Sequence, residues 1–256
     1  MATRDDAVEY DWPSLEEPAR SALRQAVAVV GERTEPTGII AAGSILRGMG
    51  DPRSDIDLYV IHEQPWKQRL QRRLAGVRVE IFINNERSVR GYLEEERVEG
   101  RPVTAHMLAT GHVVLCRREQ VRRIIKQGRD QVSHPPEVSG QALLMQRYMI
   151  VDSLENAMDV AQRDPVTAIM ILHEVVTSLV RYRFTSTGHH IPRTKELLPR
   201  MAEIDPELAS LVHRFCGAPG LDGRLALATR IAHHTIGVTE FFEWESERIP
   251  VPEASD

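Results

Sequence analysis

The sequence predicts an α+β protein in which strands and helices mix in the first half and helices alone make up the second. Three observations support this. Gly38 to Ala42, Asp55 to Ile61 and Val77 to Ile83 are short runs, apolar or alternating, of strand length and period. The segment SHPPEVSG, Ser133 to Gly140, is crowded with turn and breaker residues. Beyond it, apolar residues recur at steps of three and four as far as Trp244. Two domains are therefore expected, over residues 1–132 and 133–256.

Each element has its own signal. Leu15, Ala19, Ala22, Leu23, Ala26 and Val29 are spaced for a helix from Ser14, its cap, to about Glu32. Gly38 to Ala42 (GIIAA) is a buried strand that stops at Gly43-Ser44, and Ile45-Leu46-Arg47 opens a short helix before Gly48 and Gly50. Asp51 to Ser54 is loop, and the next strand begins at Asp55. Pro65 to Leu74 (PWKQRLQRRL) reads as a basic, solvated helix. Val77 to Ile83 (VRVEIFI) alternates, with Arg78 and Glu80 on one face and Val77, Val79 and Ile81 on the other. Glu86 to Val98 is a helix, Val113 to Leu115 a short strand, and Glu119 to Gly128 a basic helix. In the second half, helices are expected over Gln141 to Arg163, Ala168 to Phe184, Lys195 to Met201, Pro206 to Phe215 and Leu221 to Trp244.

Composition narrows the possible partners. The chain has 256 residues, 42% of them hydrophobic, enough for a core in each half. Its formal net charge of −5 offers no global positive field for long nucleic acid. Only Lys67, Lys126 and Lys195 are lysines, so the basic set is mainly arginine, the side chain suited to bidentate phosphate contacts. Cys116 and Cys216 form no disulfide framework and show no metal-ligand spacing. The N-terminal stretch is acidic without an apolar h-region, and no run has the roughly 18 apolar residues of a membrane span. A soluble, cytoplasmic protein is expected.

The chemistry concentrates in GSILRGMGDPRSDIDL. Strand residues two apart share a face, so Asp55 and Asp57 place two carboxylates side by side, where they repel unless a cation intervenes. An all-oxygen pair suits Mg²⁺ better than zinc. A single D-x-D is weak evidence, because edge strands also carry charges. Here it follows a strand ending in Gly43-Ser44, where a phosphate can approach the backbone, the Ser44 hydroxyl can donate, and Arg47 lies one turn on. Glu80, inside a later strand, would add a third carboxylate.

Gly-Ser, ten intervening residues, D-I-D-L and a later V-E-I-F resemble the pattern of the DNA polymerase β nucleotidyltransferase superfamily. The stretch VRVEIFINNERSVRGYLEEERVEGRPVT, followed by helix, strand and helix, resembles the aminoglycoside (kanamycin) nucleotidyltransferases in order and spacing. The helical second half is similar to theirs, and to the HEPN-type bundles fused to minimal nucleotidyltransferases. The resemblance implies a small mixed sheet flanked by helices, followed by a helical bundle. It implies that Asp55, Asp57 and Glu80 hold Mg²⁺ and that Gly43, Ser44, Arg47 and Ser54 bind a nucleoside triphosphate, ATP being the expected one. The activity implied is transfer of AMP to a hydroxyl of a small-molecule acceptor, such as an aminoglycoside-like antibiotic, with release of pyrophosphate. The general base of the aminoglycoside enzymes lies on the first helix of the helical domain. In RYMIVDSLENAMDVAQRD that leaves Asp152, Glu155 and Asp159 on one helical face, with none singled out, and a solvated acidic stripe is the competing account.

Two other functions fit the same motifs: an antitoxin-type enzyme modifying a protein or an RNA 3′ end, and a non-catalytic module binding nucleotide or partner. A homodimer completing the site is compatible with either domain plan. Arg183 followed by His189 and His190 resembles the HEPN ribonuclease motif, but the intervening TSTG reads as loop. His173-Glu174 lacks the second histidine of H-E-x-x-H. His106 and His112 are wall residues, and Phe241, Phe242 and Trp244 are core or dimer contacts.

Overall fold

The structure, a computed structural model, describes residues 9–51 and 53–248. The chain divides into two compact units, Met1–Pro135 and Pro136–Asp256. Pro52 and the last residues of the chain, 249–256, lie outside the described set, so the expected loop at 51–54 is described except at Pro52.

In the first unit, α1 (Ala19–Gly31) is followed by β1 (Gly38–Ala42), β2 (Asp55–His62), β3 (Gln68–Leu74) and β4 (Val77–Asn85). Then come α2 (Glu86–Glu99), α3 (Val103–Thr110), β5 (His112–Cys116) and α4 (Glu119–Ser133). The strands form one mixed sheet in the order β3-β4-β2-β1-β5, with β2 and β4 parallel and the other pairs antiparallel. One face packs Ile56, Leu58, Val60, Val79 and Ile81 against Leu23, Ala26, Val27 and Val30 of α1. The other packs Ile40, Tyr59, Ile61 and Phe82 against Val89, Leu93, Leu108 and Ile124 from α2, α3 and α4. Alternation along β2 and β4 builds both layers at once. Toward the N-terminal ends of β2 and β4 the second face changes to Asp55, Asp57, Arg78 and Glu80, which take no part in that apolar cluster.

Three expectations for the first unit need correction. The first helix starts at Ala19 with no side-chain cap, not at Ser14. A residue preceding proline is pushed out of the helical region, so Glu17-Pro18 delays the start. The segment expected to be a basic helix is strand β3, paired antiparallel with β4 from Gln68↔Ile83 to Leu74↔Val77. Leu70 and Leu74 fit a helical step as well as a strand step, and the hairpin decides. Ala75 (φ 46°) and Gly76 (φ 83°) both take the positive φ that a two-residue type I′ turn requires. The helix Ile45–Arg47 is a single 3₁₀ turn closed by Gly48 at φ 70°, so it presents no extended helix N-terminus to a phosphate.

Side-chain contacts fix α2 and the start of α3. Asn85 accepts from the Arg87 N–H at 2.8 Å to start α2, and Gly100 at φ 70° ends it. The buried Glu96 carboxylate accepts from the N–H groups of Thr104 (2.6 Å) and Ala105 (3.0 Å), tying α3 to α2. Burial pushes Glu96 above the usual carboxylate range, against the opposing pull of those two N–H groups.

The second unit, among its described residues, is helical: α5 (Gly140–Val160), α6 (Pro165–Ser186), α7 (Leu197–Ile204), α8 (Pro206–Gly217) and α9 (Leu221–Ile236). Ser139, Asp164 and Asp205 cap α5, α6 and α8, and Pro165 and Pro206 occupy first-turn positions. Leu154, Leu172, Leu179, Phe184, Met201, Phe215 and Ile231 form its core. α9 ends at Ile236, not Trp244, because Gly237 adopts φ 72° and breaks the helix. Phe242 packs against this core, Trp244 lies against Tyr148 at 5.1 Å, and Phe241 is exposed. Among the described residues no helix is long and apolar enough to cross a membrane.

Candidate active site

The end of β1, the start of β2 and the middle of β4 converge in the first unit. Ala42 is the register partner of Asp57, so the chain leaves β1 beside the second aspartate. Gly43 then turns at φ 105°, and a Cβ there would stand 2.7 Å from the Asp55 carbonyl oxygen and 3.5 Å from Asp57 Oδ2. Only glycine allows this backbone to lie against both aspartates. Asp55 and Asp57 are half-buried on one sheet face, as the alternation of β2 requires.

Two serines meet across the connecting loop. Ser44 donates to Ser54 Oγ at 2.8 Å, and Ser54 Oγ accepts from the Asp51 N–H at 2.8 Å. Arg47 directs Nη1 at His106 Nε2 of α3 at 3.4 Å, while its Nη2 is buried without a hydrogen-bond partner among the described residues. A buried, unsatisfied guanidinium nitrogen is costly, and an incoming anion would satisfy it. His106, read from sequence as a wall residue, is thus the group that orients Arg47.

The parallel pairing of β2 and β4 sets Asp57 opposite Glu80 and Asp55 opposite Arg78. Glu80 is engaged from β3, where Arg69 forms an ion pair at 2.8 Å and Gln71 donates to its other oxygen. Burial pushes its carboxyl up, but the two donors and the guanidinium charge outweigh that and hold it below the usual range. Arg78 donates to the Arg53 carbonyl, joining β4 to the loop that precedes β2.

Two adjacent carboxylates match Mg²⁺, which uses one or two protein carboxylates and completes its shell with substrate phosphates and water. Among the described residues no three His, Cys, Asp or Glu side chains converge as a complete ligand group. The aspartate pair therefore fits a divalent cation shared with a phosphate, while the Glu80 carboxylate is already engaged by Arg69 and Gln71.

Sequence patterning does not single out Arg69, Gln71 or Arg78. The first two fall in a segment whose spacing also fits a helix, and the signal that finds them is the Ala75-Gly76 turn with alternation on both sides. In the second unit Asp152 accepts from Asn156 at 3.1 Å, Glu155 accepts from the Phe241 N–H at 2.8 Å, and Asp159 is exposed. His189 lies past the end of α6 and contacts Thr187 at 3.0 Å, but α6 runs to Ser186, so Thr185 and Ser186 of the expected loop are helical. His234 contacts the buried Asp205, which also pairs with Arg183 at 2.9 Å.

Residues 23–126, within the first unit, match the family model described as a nucleotidyltransferase domain. Among solved structures, a nucleotidyltransferase-like protein from Exiguobacterium sibiricum is similar to this chain, with a TM-score of 0.56 and 18% identity. The likeness covers 84% of this chain and 73% of that one. No curated protein matches the chain.

Proposed function

We propose that this chain, residues 23–126 of which match the model of a nucleotidyltransferase domain, transfers a nucleoside monophosphate from a triphosphate to a hydroxyl of a small molecule. ATP is the expected donor, and aminoglycosides are the first acceptors to test. Asp55 and Asp57 would hold Mg²⁺, which when bound neutralises charge on the phosphates and polarises the α-phosphorus. Gly43, Ser44 and Ser54 would receive the terminal phosphates at the exit of β1, with Arg47 Nη2 as a further donor. The acceptor oxygen forms a bond to the α-phosphorus as the bond from that phosphorus to the bridging oxygen breaks. The electron pair leaves with pyrophosphate and the hydroxyl proton passes to a base. Asp152 and Glu155 are the candidates for that base.

One juxtaposition supports this most: a glycine-only backbone turn laid against two carboxylates on one strand face. A structural glycine at a strand end does not need a D-x-D against it. The test is incubation with each α-labelled nucleoside triphosphate and Mg²⁺, with and without aminoglycosides, other small hydroxylated compounds (aromatic ones included), tRNA and protein acceptors. Label transfer by the wild type, lost in Asp57→Ala and reduced in Asp152→Asn or Glu155→Gln, is the expected result. No transfer and no pyrophosphate under any condition would refute it. The engagement of Glu80 by Arg69 and Gln71 favours a second reading, a module that binds nucleotide without turnover. Thermal stabilisation by ATP and Mg²⁺ with no pyrophosphate release would identify it.

A further inference from the structure

A pocket of about 490 Å³ opens in the first unit on the same sheet face as the two aspartates. Tyr59 and Phe82 form its floor, each two residues beyond a carboxylate, Asp57 and Glu80, and therefore on the same side of the sheet. Arg69 joins pocket and carboxylates physically, since its guanidinium pairs with Glu80 at 2.8 Å and lies 4.6 Å over the Phe82 ring. Tyr92 of α2 also lines it, its hydroxyl accepting from Lys67 Nζ at 2.8 Å.

We infer that this pocket is the acceptor subsite and that it takes a planar aromatic hydroxyl compound, neutral or anionic, in place of a polycation. The inference rests on the transferase reading for its direction. In-line displacement requires the attacking oxygen to enter opposite the leaving pyrophosphate. Gly43 and Ser44 lie on the β1 side of the aspartates, so the acceptor enters from the β4 side, where the pocket is. Its chemical class follows from the lining. Tyr59, Phe82 and Tyr92 offer ring surfaces for stacking. Lys67 and Arg69 supply positive charge, while the one acidic lining residue, Glu96, has both oxygens committed to the Thr104 and Ala105 N–H groups. A polycation would find no carboxylate here to pair with. The buried Tyr59 hydroxyl, beside Thr104 without a hydrogen bond of good geometry, remains available to a polar substituent.

The experiment uses para-hydroxybenzoate as probe on the full chain, by ligand-observed NMR without nucleotide and then by transfer from ATP with Mg²⁺. Binding to the wild type, weakened about ten-fold or more in Lys67→Glu and in Tyr92→Ala and not displaced by kanamycin, supports the subsite. In turnover the same variants should raise KM for the acceptor with KM for ATP unchanged. Circular dichroism checks that each variant is folded, and Lys67 is a surface residue whose replacement spares the core. No binding of the probe, or binding indifferent to Lys67, overturns the inference. So does a rise in KM for ATP, which would make the pocket a nucleobase site. Lys67-dependent binding without transfer to the probe supports the ligand class of the pocket and overturns its assignment as the acceptor subsite, while the transferase reading is decided separately by the label-transfer assay.

Discussion

Replacing Gly43 by alanine perturbs the site at the point where backbone and carboxylates touch. Gly43 sits at φ 105°, a conformation that side chains rarely adopt, and the added Cβ would stand 2.7 Å from the Asp55 carbonyl oxygen. The torsional strain alone costs about 1–3 kcal/mol. The second obstacle is strand backbone, with Asp55 paired to Arg78 of β4 and the β1 pairing beginning two residues on at Asp57, so it cannot swing aside like a flexible side chain. Relief must come from moving the β1–β2 connection, and with it Asp55 and Asp57. Taking about 2–3 kcal/mol in total and an m-value of about 2 kcal/mol per molar, the first-unit urea midpoint should fall by roughly 1 M. A displacement of the carboxylates approaching 1 Å should lower turnover about a hundred-fold. Urea unfolding followed by circular dichroism measures the first, and pyrophosphate release with ATP and Mg²⁺ the second. An unchanged midpoint would refute the account of this contact whatever the activity does. An unchanged turnover in a destabilised variant would refute the placement of Gly43 at the nucleotide.

Other substitutions test neighbouring parts of the fold. Gly91 lies in the interior of α2, where an added Cβ would meet nothing within 4 Å, so Gly91→Ala should stabilise the first unit by about 0.5–1 kcal/mol, read as a higher urea midpoint. Ala75 occupies φ 46° in the β3–β4 turn, and Ala75→Asn creates the Asn-Gly pair that such turns favour; a gain of roughly 0.5–1 kcal/mol is expected by the same measurement. Asp205 is buried, which pushes its carboxyl up. The Leu208 N–H, His234 and Arg183 together outweigh this and hold it below its ordinary value. A carboxyl with a lowered folded pKa contributes stability above its unfolded pKa of about 3.9 and loses it as pH falls through the folded value. Asp205→Asn keeps a capping oxygen for α8 but not the charge. It should cost the second unit about 2 kcal/mol at pH 7 and nothing at the acid end, as two urea series would record.

What was legible in the sequence follows from which interactions are local. Gly43, Asp55 and Asp57 belong to one strand-loop-strand unit, where period two fixes the face and a glycine at a strand end announces a turn. Their convergence could be read without knowing the sheet order. β3 could not, because Leu70 and Leu74 satisfy a helical and a strand pattern equally and most of the strand is exposed. Its state is decided by pairing with β4, and pairing is invisible to a window of ten residues. The long reading of α9 failed for a simpler reason: apolar residues continue past Gly237, but a left-handed glycine ends the helix regardless.

The cost of missing β3 falls on function, and it falls on Glu80. By alternation alone Glu80 is a third carboxylate aimed at the aspartates. With β3 in place it is an ion-paired residue, opposite Asp57 across the β2–β4 pairing but held from the far side by Arg69 and Gln71. A cation shared with Asp57 competes directly with those donors for the same two oxygens. Any ligand that draws the Arg69 guanidinium deeper into the pocket over Phe82 frees one of them. Occupation of the pocket and recruitment of Glu80 are thus coupled through one side chain. An Arg69→Ala variant should therefore bind Mg²⁺ more tightly and para-hydroxybenzoate more weakly. Isothermal titration of each ligand would detect the opposite shifts, and shifts of the same sign would break the link.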